Sequence, residues 1–394
     1  MDQGPMMKQV HEAVVENRHM CNIYTSTKDD LQSIMLQTRK NGHRNTMEKV
    51  QKNLQIPFAG LNAFDQDLLA SFSSDDEFLY GWDFVRIWSK TMFKKLRKVY
   101  TTDAAHMQTH LHGTMFGLWA LDANDQIVCL ALSLYYDNES EETWSKFLSF
   151  VSKSYPELNS KRTFIIADGE KGFTKALSSR LPKVNRFYCH EHEKRYLSAT
   201  DREVYAKMVK TGSLDKLSNL KKKLSAHARA RWKDHEDSEL FPVSTKGGTY
   251  GRCASSVAES GNSSLKGVRK HGAAMALLLF LEQDSERIAS RMEASKQWKK
   301  SHTPHACLDH LKPVESVSRT FPDPIVKTSK NKTWVTVASK MSRASSYLST
   351  PSQHGCSCGI PKMTRKPCWH EISACKLLKK DPLSLFGSCF KTET

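Results

Sequence analysis

Two aspartates follow segments that have the pattern of strands. Phe164–Ile166 is a short continuous apolar run that stops at Asp168, and the strand-like run Lys98–Thr102 stops at Asp103. Carboxylates at the carboxyl ends of neighbouring strands gather at one edge of an α/β sheet. Because Mg²⁺ takes oxygen ligands, the pair predicts a divalent-metal site, although Asp168 taken alone is equally compatible with a helix N-terminal cap.

A third carboxylate lies on a predicted helix further along the chain. The segment SSVAESGNSSLKGVRK is predicted to begin one long helix that runs into ALLLFLEQ. Glu259, Asn262 and Lys266 are spaced i, i+3 and i+7, which places them on one face of that helix. Such a polar face is more often simply solvated. Opposite a carboxylate-lined sheet edge, it could instead hold metal and phosphate.

A compact group of thiol and imidazole side chains occurs near the end of the sequence. Cys356 and Cys358 are followed, after nine residues, by Cys368 and His370. Three thiolates and one imidazole satisfy a closed tetrahedral Zn²⁺ site, and a small segment gains folding free energy from the metal. The spacing therefore predicts one structural zinc ion rather than four unrelated buried side chains.

A second cysteine and histidine follow the strand predicted at Asn185–Cys189. Cys189 and His192 are spaced as Cys-x-x-His, which makes them candidate metal ligands. Two ligands cannot complete a zinc site by themselves. Metal binding, ordering of the nearby acidic site and a purely structural role all stay open at this point.

The elements that would position these side chains alternate between strands and helices. Met115–Leu121 and Gln126–Tyr136 are predicted strands joined by the turn DAND, which is a hairpin signal. A helix within Asn138–Pro156, the strand that ends at Asp168 and an amphipathic helix at Lys171–Leu181 follow. This order predicts an α/β fold with a mixed sheet.

The flanking segments are predicted from composition and periodicity. Residues 1–55 are polar and are expected to be helix and linker, and residues 56–96 show two aromatic-rich amphipathic helical patterns. Residues 301–330 contain four prolines and are predicted to be a linker. A small sheet is predicted at Trp334–Ala338 and near Tyr347.

The charge of the chain favours a polyanionic partner. The 394 residues contain 59 Lys and Arg against 42 Asp and Glu, a net charge of +17. Between the two pairs of predicted zinc ligands, Lys362, Arg365 and Lys366 could contact phosphates or could form a solvated loop. No run of 18 apolar residues occurs, so no membrane partner is expected.

Together these residues resemble the transposase domain of Mutator-like elements (MULEs) and of the far-red-response regulators descended from them. The resemblance rests on TTDAAHMQ around Asp103, IIADGEKGF around Asp168, FYCHEHEKRYL with the Cys-x-x-His, and AESGNSSLK around Glu259. These blocks occur in the family's order over about 170 residues.

The resemblance implies an RNase H-like sheet with an all-helical insertion, at about residues 193–250 within a domain of residues 96–275. A helical region would precede it at 1–95, and a helix and linker would follow at 276–330. In this family an Asp, an Asp and a Glu hold two metal ions. The resemblance thus implies catalytic roles for Asp103, Asp168 and Glu259, with two Mg²⁺ or Mn²⁺ ions.

The activity implied is metal-assisted cutting and joining of DNA strands by a nuclear transposase, with Asn262, Lys266 and Arg269 positioning the DNA. The cysteine and histidine spacing near the end resembles the SWIM zinc finger, assigned to residues 331–394, through which a second copy or another protein could bind. The competing hypotheses are a catalytically silent, transposase-derived DNA-binding or transcription-regulating protein and an inactive fragment of an element.

Overall fold

The computed structural model describes residues 68–74, 79–86, 92–109, 113–168, 172–296, 305–319, 325–329, 332–339, 342–350 and 355–390. These residues form a mixed α/β fold, as the order of elements along the sequence predicts. The segment 1–55, for which helix and linker are expected, lies outside the described residues.

A seven-stranded mixed sheet forms the centre of the chain. Its strands are β1 Leu68–Ser74, β2 Leu79–Arg86, β3 Val99–His106, β4 Thr114–Leu121, β5 Ile127–Tyr135, β6 Phe164–Ala167 and β7 Asn185–Tyr188. Across the sheet they lie in the order β1-β2-β5-β4-β3-β6-β7. The pairs β3-β6 and β6-β7 are parallel and all other neighbours are antiparallel. The predicted hairpin between β4 and β5 is confirmed, and Asp122 closes its turn by accepting hydrogen bonds from the backbone of Asn124 and Gln126.

Two helices pack on one face of this sheet. α1 spans Glu141–Ser154 and α2 spans Phe173–Arg180. α1 begins with a capping box, in which the Ser140 side chain accepts from the Thr143 backbone N–H and the Thr143 hydroxyl accepts from the Ser140 backbone N–H. The apolar stripe of α1 shares one core with side chains of β3, β4 and β5. The helix therefore returns the chain across the sheet, which lets β6 run parallel to β3.

An all-helical insertion follows β7, as the resemblance implies. Its helices are α3 His190–Arg195, α4 Ala199–Lys210, α5 Leu214–Lys221, α6 Ala226–Arg231 and α7 Asp237–Leu240. The insertion has its own core, which includes Tyr205, Trp232 and Phe241. Buried Glu193 accepts hydrogen bonds from Arg231 Nε at 2.9 Å and from Trp232 Nε1 at 2.8 Å, which ties α3 to the end of α6.

The helix predicted after residue 255 is broken into two. α8 spans Ser256–Ser264, a 3-10 turn covers Val268–Lys270 and α9 spans Ala273–Lys296. The prediction of one continuous helix is therefore wrong, and Lys266 lies in the connection. Gly267 lies there too, and its low helix propensity favours a break at this point.

α8 and α9 pack on the second face of the sheet. Trp82 and Trp119 of the sheet share one core with Phe280 of α9. α8 packs directly against β4 at Gly261, where an added Cβ atom would lie 2.5 Å from the Trp119 indole. Because any side chain at this position would push the helix away from the sheet, the glycine of the AESGN segment is required for packing.

The aromatic-rich segment before β3 is the main error of the sequence-based prediction. Two amphipathic helices are expected within residues 56–96, but β1 and β2 occupy part of this segment and extend the sheet. Trp82 and Phe84 of β2 enter the core below α9, whereas Val85 enters the core below α1. Because both faces of β2 are buried, apolar residues do not simply alternate with polar ones, and periodicity does not separate such a strand from a helix.

A second, four-stranded antiparallel sheet and three helices form the C-terminal part of the chain. The helices are α10 His305–Arg319, α11 Ile360–Thr364 and α12 Trp369–Leu377, and the strands are β8 Ile325–Ser329, β9 Lys332–Ser339, β10 Ser342–Thr350 and β11 Gly355–Cys356. The strand order is β11-β10-β9-β8. The sheet predicted near Trp334 and Tyr347 is confirmed.

The linker predicted at residues 301–330 is wrong where α10 and β8 lie. One proline of this segment, Pro313, lies inside α10, at a cost to helix stability. Cys307 and Leu311, one helical turn apart, pack in one apolar cluster with Ile372 of α12. This burial stabilises a helix that the proline content argued against.

Candidate functional site

Asp103 lies within β3, and Asp168 directly follows the end of β6, the parallel neighbour of β3. β3 and β6 pair with Val99 opposite Phe164 and Thr101 opposite Ile166. Asp103 and Asp168 each lie two residues after the last of these paired positions, Thr101 and Ile166. Residues at matched positions of neighbouring strands point to the same face of a sheet. The pairing of β3 with β6 therefore brings together the two chain segments to which the aspartates singled out in the sequence belong.

Asp103 lies within its strand and not at the strand's end. β3 continues to His106 because it goes on pairing with β4 after its pairing with β6 has stopped, so the predicted strand end is wrong. Burial raises the pKa of Asp103 to about 6, against the opposing effect of hydrogen bonds from the Ala104 backbone and the Asn262 side chain. The tertiary fold thus holds the Asp103 carboxylate in a partly desolvated environment.

α8 passes beside Asp103 and presents two of the predicted polar residues to the sheet. Asn262 Nδ2 donates to Asp103 Oδ2 at 2.9 Å, and Asn262 is 6% exposed. Glu259 lies one turn earlier on the same helix, and its side chain is exposed to solvent. The carboxylate of Glu259 is therefore accessible at the same side of the sheet.

The two cationic residues predicted near this site, Lys266 and Arg269, have different environments. Lys266 lies beyond the end of α8 and is exposed. Arg269 is half-buried, its Nη1 donates to the His106 backbone carbonyl at 2.8 Å, and its own carbonyl accepts from the Gln108 backbone N–H. Burial lowers the pKa of Arg269, an effect that Asp103 opposes. Arg269 is thus tied to the end of the strand that carries Asp103.

His192 of α3 lies beside Asp168. Its Nε2 atom is 3.3 Å from Asp168 Oδ2, and the two side chains are 14% and 36% exposed. Cys189, and to a smaller extent Asp168, raise the pKa of His192. Protonation of the imidazole, and with it attraction to Asp168, is therefore favoured by its neighbours.

Ser255 connects Cys189 to α8. Its backbone N–H donates to Cys189 Sγ at 3.2 Å, and its hydroxyl oxygen lies 3.1 Å from the same sulfur and 3.2 Å from Glu259 Oε1. Burial disfavours the Cys189 thiolate, but His192 and Ser255 together lower the pKa of the Cys189 thiol. A contact pathway thus runs from the end of β7 to the carboxylate of Glu259.

Glu259 lies beside the cysteine and histidine pair. Ligand atoms of Cys189, His192 and Glu259 lie within 4.8 Å of one another. Asp103 and Asp168 belong to no such group among the residues that the structure describes. Of the three acidic residues, Asp168 and Glu259 both lie near His192, whereas Asp103 is bound by Asn262.

The stretch that contains most of this site matches a known family. Residues 99–195 match the family model of the MULE transposase domain. Over this stretch the chain is similar to MULE transposases. No curated protein matches the chain. The matched residues run from the start of β3 to the end of α3 and include Asp103, Asp168, Cys189 and His192, and the match supports a transposase-like function.

Four side chains converge on one point beyond the transposase domain; we call Cys356, Cys358, Cys368 and His370 the cysteine-histidine group. Their ligand atoms lie within 4.8 Å of one another. His370 Nδ1 is 3.5 Å from Cys356 Sγ and 3.6 Å from Cys368 Sγ, and the sulfurs of Cys358 and Cys368 are 3.6 Å apart. A zinc tetrahedron with ordinary bond lengths has edges of about 3.5–3.8 Å. The group therefore fits a tetrahedral metal ion such as zinc.

The cysteine-histidine group packs against the helical insertion at glycines. Gly359 has a φ of +79°, and an added Cβ there would overlap the carbonyl oxygen of Gly212, between α4 and α5. A Cβ on Gly212 would lie 2.5 Å from the Cys358 carbonyl oxygen, and one on Gly247 would lie 2.5 Å from that of Lys362. Because the two backbones touch directly, the segment that carries the cysteine-histidine group and the insertion are closely docked.

Asp125, in the β4-β5 turn, joins three parts of the chain through ion pairs. Its carboxylate lies 2.5 Å from Arg97, 2.9 Å from Lys366 and 3.2 Å from Arg252. Lys366 is 18% exposed, so its charge is matched within the chain, and this setting does not favour the predicted phosphate contact. Arg365 is exposed, as is Lys362 of α11.

Replacing Asp125 by Asn is expected to lower the free energy of unfolding at pH 7 by about 2 kcal/mol. Burial opposes ionisation of Asp125, but Arg97 and Lys366 outweigh it and bring the pKa down from 3.8 to about 2. A lowered pKa of this kind stabilises the fold above pH 3.8, and the stabilisation is lost as the pH falls through 2.

Denaturant unfolding of the wild type and Asp125→Asn at several pH values checks this expectation, with Asp137→Asn, at an exposed aspartate, as the control. The difference between wild type and Asp125→Asn should vanish at the acid end of the range. A difference that stays constant with pH would contradict the ion-pair account.

Three residues of this region were not singled out in the sequence: Ser255, Asp125 and Gly261. Ser255 precedes a helix, where serine is an ordinary capping residue. Asp125 lies in a predicted turn, where aspartate is common, so neither residue suggested a further role. Gly261 interrupts a helical pattern, which is the one signal that could have indicated a close helix-sheet contact. Within the part of the chain that the structure describes, no helix is long and apolar enough to cross a membrane.

Proposed function

We propose that this protein is a DDE-type transposase that cleaves and joins DNA strands with the help of divalent metal ions. The observation that carries the proposal is the parallel pairing of β3, which contains Asp103, with β6, which ends directly before Asp168, beside a helix that bears Glu259. The MULE transposase domain at residues 99–195 supports it. The mixed sheet followed by a helical insertion is the arrangement that an RNase H-like fold of this class would have.

Asp103, Asp168 and Glu259 would hold two Mg²⁺ or Mn²⁺ ions. Carboxylate oxygens suit both metals, and the exposure of Asp168 and Glu259 leaves these two groups open to ions from solvent. Asn262 fixes the orientation of Asp103 through their hydrogen bond. When bound, the ions would activate a water molecule or a 3′-hydroxyl and stabilise the leaving oxygen.

DNA is the proposed partner, and the nucleus is the proposed location. A net charge of +17 favours binding to a polyanion. Lys266 and Arg269 lie next to the acidic residues, and exposed Lys362 and Arg365 lie beside the cysteine-histidine group. These four cations would contact DNA phosphates, which position the substrate without reading its sequence.

The cysteine-histidine group would bind one structural Zn²⁺ as a SWIM-type zinc finger. All four protein ligands come from a segment of 15 residues, and three of them are buried. A closed site of this kind leaves no coordination position for a reacting molecule, so zinc would stabilise the fold and take no part in catalysis.

The proposal is tested by incubating the purified protein with supercoiled plasmid and with end-labelled DNA in Mg²⁺, Mn²⁺, Ca²⁺ or EDTA. We expect strand breaks with 3′-hydroxyl ends in Mg²⁺ and Mn²⁺ and none in EDTA. We also expect no covalent protein–DNA adduct, because a metal-activated nucleophile needs none. Salt-sensitive DNA binding without any cleavage would contradict the proposal and favour a catalytically silent DNA-binding protein.

A further inference from the structure

We propose that Ser255, Cys189 and His192 are positioning residues that hold Glu259 and Asp168 at a set separation across the edge of the sheet. The inference rests on the proposed function, because it concerns two of the carboxylates assigned to metal binding there. It assigns a role to Ser255 and to a cysteine and histidine whose role the sequence left open.

The contacts form a continuous path between the two carboxylates. His192 Nε2 lies 3.3 Å from Asp168 Oδ2, and the imidazole lies within 4.8 Å of Cys189 Sγ. The backbone N–H of Ser255 donates to that sulfur at 3.2 Å, and the Ser255 hydroxyl oxygen lies 3.2 Å from Glu259 Oε1. The path runs from the residue after β6, through α3 and the residue before it, to the start of α8.

Burial makes this path more rigid than the carboxylates at its ends. Cys189 and Ser255 are each 1% exposed, whereas Glu259 is exposed and Asp168 is 36% exposed. A glutamate on a helix surface has several free rotamers, and a hydrogen bond from a fixed hydroxyl one turn earlier restricts them. Ser255 is suited to restricting the Glu259 side chain because the hydrogen bond from its own backbone N–H to Cys189 already fixes its position.

The hydrogen-bonding capacity of Ser255 is compatible with a bridging role. Its hydroxyl carries one proton and can donate to only one partner at a time. The hydroxyl oxygen lies 3.1 Å from Cys189 Sγ and 3.2 Å from Glu259 Oε1, so it can donate to either group, and donation to Glu259 leaves the backbone N–H to hold Cys189.

Mn²⁺ binding measured without DNA tests the positioning role independently of cleavage. Isothermal titration calorimetry of Ser255→Ala is expected to show Mn²⁺ affinity weaker by about fivefold to tenfold, the size of one lost hydrogen bond. Ser256→Ala is the matched control, because Ser256 is the next residue along the chain and is exposed. Its affinity should equal that of the wild type.

Cysteine variants supply a second measurement. Cys189→Ser keeps an acceptor for the Ser255 backbone N–H and should retain most of the Mn²⁺ affinity, whereas Cys189→Ala should lose affinity as Ser255→Ala does. Zinc content by native mass spectrometry should be one ion per chain in the wild type and in Cys189→Ala. Two zinc ions in the wild type and one in Cys189→Ala would overturn the positioning role in favour of a metal site.

Asp168→Asn and Glu259→Gln separate this inference from the proposed function. If both weaken Mn²⁺ binding while Ser255→Ala behaves like Ser256→Ala, the positioning role is wrong and the acidic metal site stands. If neither weakens Mn²⁺ binding, the proposed metal site fails, and the inference fails with it. If Asp168→Asn, Glu259→Gln and Ser255→Ala all weaken Mn²⁺ binding, the acidic metal site and the positioning role are both supported.

Discussion

Asp168→Asn is expected to reduce Mn²⁺-dependent DNA cleavage by on the order of a thousandfold. The substitution keeps the size and shape of the side chain but removes the negative charge that would hold a divalent ion. DNA affinity should change little, because phosphate binding depends on lysine and arginine side chains. Asp103→Asn and Glu259→Gln should have effects of the same order, since the three carboxylates would share the ions.

The structure provides a matched control for this experiment. Asp137 follows strand β5 much as Asp168 follows β6, and it is exposed. Asp137→Asn should therefore cleave DNA at the wild-type rate. Cleavage and binding are measured on the same labelled DNA, by gel electrophoresis and by fluorescence anisotropy. Cleavage by Asp168→Asn at the rate of Asp137→Asn would show that the acidic residues do not carry the chemistry.

Loss of metal from the cysteine-histidine group is expected to unfold residues 355–390 and to loosen the insertion next to it. Structural zinc contributes on the order of 10 kcal/mol to the folding of small metal-binding segments. Cys368→Ser, or treatment with a zinc chelator, should remove most of this stabilisation. The effect should spread because Gly359 touches Gly212 and because the backbone of Lys362 touches Gly247.

Hydrogen exchange read by mass spectrometry tests this prediction. Faster exchange is expected in the C-terminal segment and also in the peptides that contain Gly212 and Gly247. Cys389→Ser serves as the control, because Cys389 is a partly buried thiol outside the ligand group. Unchanged exchange at Gly212 after metal removal would show that the two parts are stable independently.

The features that could be predicted without the structure are those formed by residues that lie close together in the sequence. The alternation of strands and helices from Met115 to Tyr188 follows from local apolar runs, the turn at Asp122 and the capping residues around Ser140. The cysteine-histidine group is local as well, because all four side chains lie within a segment of 15 residues. Such features depend on short-range chemistry, which the amino-acid order by itself determines.

Only the tertiary structure decided the features that depend on distant partners. β2 is a strand because both of its faces are buried, and β3 continues past Asp103 because β4 pairs with it. The role of Asp125 follows from Lys366, 241 positions further along the chain. In each case the local pattern is compatible with two outcomes, and the burial or ion pair that selects between them exists only after the chain has folded.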